Sequence, residues 1–380
     1  RDEASTAGAI ALQPVLYCSD GCGAGGQGHA GAVPSVGASE QLNNAERHDV
    51  DLGRLNTFGV PARAVRLFDL RDTAGFELLA AAVKESTRVL VLGSGSNVLF
   101  ARDFGGLVVR CRFKEIKVSS LGGGKVEVAA GAGLSWDWIV RYCVQRGWSG
   151  LENLSLIPGS VGAAPIQNIG AYGVELSSCF SWLEALDLQS GELHRMGPGE
   201  CCFSYRDSRF KSDWRDRFLV VRVAFHLGGQ SPATDYPSLQ EELSRAGVTR
   251  PTAHSIRQAV IAIRQRRLPD PARVGNAGSF FKNPVVDAER LSMLRKEWPE
   301  LPAFETGDGY YRVAAGWLVE SCGWKGIQRG SVGVSENHSL VLINCGNARG
   351  HEILALATEI EVSVKERFNL RLEREVRVID

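Results

Sequence analysis

The sequence predicts an α+β protein of three domains, and three observations carry that expectation. At 380 residues the chain is too long for one compact core of ordinary size. Its ordered part opens on a βαβ-like alternation: strand spacing over residues 64–70, helical spacing over Phe76–Lys84, then a short apolar strand at residues 88–92. It closes on a strand, residues 370–379, behind a long helix over Gly350–Phe368, so the end of the chain is expected to return to an earlier sheet.

Order is expected to begin near Leu55-Asn56-Thr57-Phe58-Gly59. Residues 1–50 are rich in Gly, Ala and Ser without a sustained period, and read as a disordered extension that does no chemistry. A glycine turn, Gly93-Ser94-Gly95-Ser96-Asn97, follows the apolar strand and leads into a strand at Val98–Phe100. The middle section holds a strand at residues 126–130, a helix over 135–146 and a long Gly/Pro/Asn-rich loop over 150–176. Strands recur at residues 182–188 and Phe218–Leu227, and a helix over 255–267 is ended by Pro269. The last third begins with Gly275 and carries a helix over residues 285–294, an amphipathic segment over 314–322 and a strand at 340–344.

Composition narrows the function. Hydrophobic residues make up 44% and charged residues 23%, as in a folded globular protein. The 43 basic and 43 acidic residues cancel, so no bulk field attracts nucleic acid or an anionic membrane, and an anionic ligand must be held by local Arg and Lys placement. No apolar run approaches the ~20 residues that span a bilayer. No basic segment with an apolar core opens the chain, so a secretory leader is not expected, and a start at Arg1 reads as a fragment or a processed chain. Nine cysteines without a repeated framework read as reduced thiols, Cys201-Cys202 among them. Cys18 and Cys22 flank a short turn with no second ligand pair, so no metal site is expected.

Five segments could carry chemistry. In Gly93-Ser94-Gly95-Ser96-Asn97, glycines let backbone N–H groups approach phosphate oxygens. The sixth position is Val98 and the chain continues as strand, so by itself this is an ordinary turn rather than a dinucleotide fingerprint. The run from Ile157 to Gly173 threads glycines, prolines and amides through one loop, which suits a backbone following a flat ligand. In Phe203-Ser204-Tyr205-Arg206-Asp207-Ser208, Arg and Tyr suit a carboxylate, and a strand-end Arg paired to Asp207 is equally open. In Gly278-Ser279-Phe280-Phe281-Lys282-Asn283-Pro284 the serine is either exposed at a turn or caps the next helix. No nucleophile elbow is present, so a triad hydrolase is disfavoured and His338 reads as structural. In Leu372-Glu373-Arg374-Glu375-Val376-Arg377-Val378-Ile379, period 2 puts Glu373, Glu375 and Arg377 on one face, which reads as a solvated strand face.

Taken together in order and spacing, the five segments are similar to the UDP-N-acetylenolpyruvoylglucosamine reductases, type I branch, over all but the N-terminal tail. The long loop and the Gly-Ser-Phe-Phe-Lys-Asn-Pro segment are the specific ones. The resemblance implies a PCMH-type FAD-binding unit of two subdomains, residues 51–115 (with the strand 369–380) and 116–268, and an α+β substrate-binding domain over 269–368. It implies non-covalent FAD against Gly93, Ser94, Gly95, Ser96, Asn97, Ile157, Pro158, Gly159, Gly162, Ala163, Gln167, Asn168, Gly170, Ala171 and Tyr172, with Arg264 towards its phosphates. NADPH would reduce the flavin and be replaced by the enolpyruvyl UDP-sugar, bound by Tyr205, Tyr236, Arg267 and Asn283. Many members of the family carry Lys where Arg267 stands. Arg206 and Glu375 would stabilise the enolic form, and Ser279 would protonate C2. The pathway implies a bacterial cytoplasm, and a monomer is expected.

Two rivals predict different observations. An oxidase with tethered flavin needs an attachment point, yet no His lies between His48 and His194, which leaves Cys111 or Cys143. A non-catalytic sugar-nucleotide binder predicts no oxidation of NADPH.

Overall fold

The computed structural model describes residues 46–229, 231–307 and 309–380; the expectations for Arg1, Cys18, Cys22 and the rest of the tail before residue 46 lie outside them. The protein is α+β. In its first unit a four-stranded sheet runs in the order Glu46–Asp51, Arg63–Leu70, Phe104–Cys111, Val89–Val91. The first pair is antiparallel and the other two are parallel, and the helix Phe76–Lys84 makes the crossover between Arg63–Leu70 and Val89–Val91.

The strand Glu46–Asp51 corrects the expectation of disorder up to residue 50. Its charged residues give no apolar period to read, and ion pairs to the neighbouring strand hold it, Arg63 to Asp49 and Arg66 to Glu46.

The second unit is a five-stranded antiparallel sheet ordered Leu193–Met196, Phe180–Asp187, Phe218–Leu227, Lys125–Gly131, Ile116–Gly122. Its core packs Trp136 and Ile139 of the helix Trp136–Val144 against Phe225 and Val128. A second helix, Ala253–Arg267, starts at Thr252, whose hydroxyl accepts from the Ser255 N–H, and stops at extended Leu268 just before Pro269.

Two three-stranded sheets build the third unit: Val285–Asp287, Tyr310–Val313, Ala303–Gly307, and Gln328–Arg329, Val332–Val334, Leu342–Asn344. The helix expected over residues 285–294 begins later, at Ala288–Glu297. The β-branched pair Val285-Val286 forms a strand, and Asp287 ends it by capping the helix, its Oδ1 accepting from the Arg290 N–H at 2.7 Å.

The strand expected over residues 370–379 shrinks to Arg377–Ile379, parallel to Val98–Phe100. Before it the chain crosses from the helix Gly350–Phe368 to the 279–283 segment, where Phe281 and Arg374 form an isolated antiparallel bridge. The face expected to hold Glu373 and Glu375 together is thereby broken. The Glu373 side chain is 72% exposed and that of Glu375 only 14%. One core runs from Leu52, Phe58 and Val108 into Phe280, Phe281, Ile353 and Phe368, so the first and third units share it.

Candidate active site

A cleft of about 860 Å³ opens where the three units meet. One wall is the turn Gly93 to Asn97. Gly95 has φ +68°, and a Cβ there would sit 1.9 Å from the Leu55 carbonyl oxygen, so only glycine lets this backbone close on its neighbour. A Cβ on Gly93 would meet Ser160 Oγ at 2.9 Å, which presses the turn against the long loop. Ser96 Oγ donates to the Pro158 carbonyl at 2.9 Å. Asn97 Nδ2 donates to Gln167 Oε1 at 2.6 Å and to the Glu375 carbonyl at 3.1 Å, tying turn, loop and C-terminal segment together.

The long loop is not structureless. It contains short helical turns at Glu152–Leu154 and Val161–Gln167 and a two-residue hairpin, Gly170–Ala171 with Val174–Glu175. Its entry is Leu156, a left-handed residue whose N–H donates to Asp137 Oδ1 at 2.6 Å and whose carbonyl accepts from Arg264 Nε at 3.2 Å. Asp137 is itself forked by Arg257 at 2.6 and 2.8 Å. Burial alone would raise the Asp137 carboxyl, but Arg257 and the Leu156 N–H outweigh it and hold the group below the usual carboxylate range.

The opposite wall gathers the charged residues. Ser204 and Asp207 exchange backbone hydrogen bonds in a tight turn that holds Arg206 left-handed, at φ +54°. Arg206 Nη2 donates to the Gly170 carbonyl at 2.6 Å, its Nε lies 3.1 Å from Glu375 Oε1, and its own carbonyl accepts from Lys211 Nζ at 3.1 Å. The Glu375 N–H donates to the Phe280 carbonyl and the Lys282 N–H to the Glu373 carbonyl, both at 2.8 Å, so the two strips run side by side. Fully buried Phe280 and Phe281 anchor the first strip. Ser279 Oγ has no hydrogen-bond partner among the described residues and lines the cleft. Burial pushes the Glu375 carboxyl above its ordinary range, against the pull of Arg206, Lys211 and Lys282. Burial, and then Lys282, lower the Lys211 ammonium.

The cleft brings together Arg206, Ser279 and Glu375 with Gly93, Ser94, Gly95, Ser96, Asn97, Ile157, Pro158, Gly159, Gly162, Ala163, Gln167, Gly170 and Arg264. Other expected site residues stand outside its lining. Asn168 is fully buried and spends its amide on Glu175 Oε2 and the Ser204 carbonyl, so it braces the loop. Ala171 is in the hairpin, and the Tyr172 ring meets that of Tyr236 edge-on at 5.5 Å. Tyr205 lies under the guanidinium groups of Arg206 and Arg312, Arg267 is exposed, and Asn283 Oδ1 accepts from the Ala315 N–H at 3.0 Å. His338 Nδ1 accepts from the Leu340 N–H at 3.2 Å; burial, then Arg267, Lys325 and Arg264, lower its pKa.

Sequence reading missed most of the charge. The lining carries nine Arg and Lys residues against two Glu, in a chain of zero net charge. Arg110, Arg112, Lys211 and Arg215 are among the nine and belong to no motif, whereas Arg206, Arg264 and the strip with Arg377 are singled out by the sequence.

These features fit FAD. The volume suits a cofactor, the glycine turn offers bare backbone, and the local cations suit a diphosphate. A tether through cysteine is disfavoured, because burial pushes the Cys111 and Cys143 thiols up to about 12. Residues 76–197 match the family model of the FAD binding domain, and the protein is a flavin-dependent oxidoreductase. Residues 270–379 match the C-terminal domain of UDP-N-acetylenolpyruvoylglucosamine reductase. The reductase of that name from Azoarcus sp. (strain BH72) is 48% identical over 86% of this chain and 96% of its own. The one from Pseudomonas aeruginosa is 46% identical over 84% and 95%. The crystal structure of the Thermus caldophilus enzyme superposes with a TM-score of 0.61, at 26% identity, over 88% of this chain and all of that one. The chain belongs to the UDP-N-acetylenolpyruvoylglucosamine reductase family, whose members are flavoenzymes of peptidoglycan synthesis.

Proposed function

We propose that the protein uses NADPH to reduce the enolpyruvyl group of UDP-N-acetylglucosamine enolpyruvate, giving UDP-N-acetylmuramate. One observation carries the reading: the strips around Ser279 and Glu375 pair side by side, against Arg206, on one wall of the flavin cleft. In the cleft lined by Gly93 to Asn97 and the long loop, FAD would supply the hydride that C3 of the substrate takes up. The chain's own residues do the rest. Negative charge that develops at C2 and spreads into the carboxylate faces the fixed guanidinium of Arg206. The burial that raises Glu375 favours its protonated form, which can donate to that carboxylate. Ser279, its hydroxyl free of other partners among the described residues, gives its proton to C2.

Residues 51–115 with 369–380, and 116–268, make the FAD unit in this reading, and 269–368 the substrate domain. Tyr205, Tyr236 and Arg267 hold the UDP-sugar. Asn283 joins them through its amide N–H, since its oxygen is spent on Ala315. Arg264 faces the flavin phosphates, with the protein acting as a cytoplasmic monomer. Among the described residues no helix is long and apolar enough to cross a membrane.

Anaerobic stopped-flow at the flavin absorbance tests the assignment. Ser279→Ala should bleach normally with NADPH and reoxidise with substrate about 10²–10⁴-fold more slowly. Reoxidation near the wild-type rate removes Ser279 as the donor.

A further inference from the structure

Arg312 stands in the middle of the small sheet of the third unit, in register with Val285 on one side and Phe304 on the other. Register partners share a face, so the three side chains form one row. Val285 and Phe304 are 54% and 60% exposed, so the described residues leave the flanks of that row largely uncovered. Among the described residues Arg312 has no carboxylate and no hydrogen bond. Its guanidinium instead lies 4.1 Å from the ring centre of Tyr205, on the second unit. Arg206 approaches the same ring at 5.2 Å.

We propose that Arg312 is a positioning residue for the reaction, acting through Tyr205 on Arg206. A left-handed arginine is strained and persists only when its surroundings over-determine it. Within the second unit the turn is held by Gly170 and Lys211. The contact between Arg312 and Tyr205 adds a restraint from the third unit, so the docking of that unit sets the aim of the Arg206 fork. The inference rests on the assignment of Arg206 to the substrate's charge.

The test uses flavin-loaded protein carrying Arg312→Ala, Arg312→Lys, Tyr205→Leu and the double variant R312A/Y205L. A cation over an aromatic face is worth about 2- to 30-fold. Arg312→Ala should lower kcat of substrate reduction by that factor with KM little changed, and Arg312→Lys should restore part of it. The double variant should lose about as much as the worse single one, and melting temperatures should show the same non-additivity without substrate. A raised KM at unchanged kcat would mean that Arg312 grips substrate directly, and overturns the proposal. Additive effects in both measurements overturn it as well. Normal turnover by Ser279→Ala would sink the functional reading instead, and would leave the coupling in the melting temperatures standing.

Discussion

Four non-glycine residues beside the cleft hold the left-handed backbone that side chains disfavour: Leu156, Asn168, Tyr172 and Arg206. Each costs about 1–3 kcal/mol, so their concentration around one cavity means that the fold gives up stability to aim particular groups. Leu156 turns its carbonyl to Arg264, and Arg206 turns its fork to Glu375 and Gly170. A lysine at 206 keeps the charge but has one point of attachment where the fork has two. Arg206→Lys should therefore keep its flavin and lose about 10²–10³-fold in kcat for substrate reduction, read from steady-state kinetics.

At the scale of elements, the long loop depends on a helix that never touches the reacting atoms. Arg257 on Ala253–Arg267 forks Asp137 on Trp136–Val144, and Asp137 accepts from the first left-handed residue of the loop. The folded-state pKa of Asp137 lies below its unfolded one, so its contribution is complete above the ordinary aspartate value of about 3.9 and is lost as pH falls through the lower folded value. Asp137→Asn should cost about 1.5–3 kcal/mol in urea unfolding at neutral pH. The gap between variant and wild type should close as the pH is taken below that range.

Elements with a strong apolar period were legible in the sequence: Phe76–Lys84, Phe218–Leu227 and Gly350–Phe368 run between the bounds expected for them. Elements held by partners far along the chain were not. Glu46–Asp51 rests on cross-strand ion pairs, and residues 370–376 follow the Phe280 strip rather than a period of their own. The site divides the same way. The glycine turn and the Ser279 strip stand out as segments, but their place in a site comes from the family resemblance and not from local chemistry, whereas Lys211, Arg312 and the Asp137–Arg257 pair have meaning only once the chain is folded.

At the scale of the whole molecule, a neutral chain gathers cations in one cavity and divides its described thiols between buried and exposed positions. Burial pushes Cys111, Cys143, Cys179 and Cys201 up to about 12, while Cys202 and Cys345 are exposed. Of these six, brief treatment of the native flavin-loaded protein with a thiol reagent should modify Cys202 and Cys345 alone, as read by peptide mass spectrometry. The other four should react only after unfolding. Early labelling of Cys143 or Cys179 would contradict the packing of the second unit.

The hydrogen bond from Asn97 to the Glu375 carbonyl spans 278 residues of sequence. On a ribosome adding about 5–20 residues per second, the glycine turn emerges roughly 15–55 s before the segment that completes it. For that interval the strand Val98–Phe100 lacks the partner it has in the finished fold, Arg377–Ile379. The flavin cleft thus cannot be completed before the segment around Glu375 has been made. A nascent chain cut short before residue 373 would carry the whole of the second unit and still lack a completed wall for the cofactor.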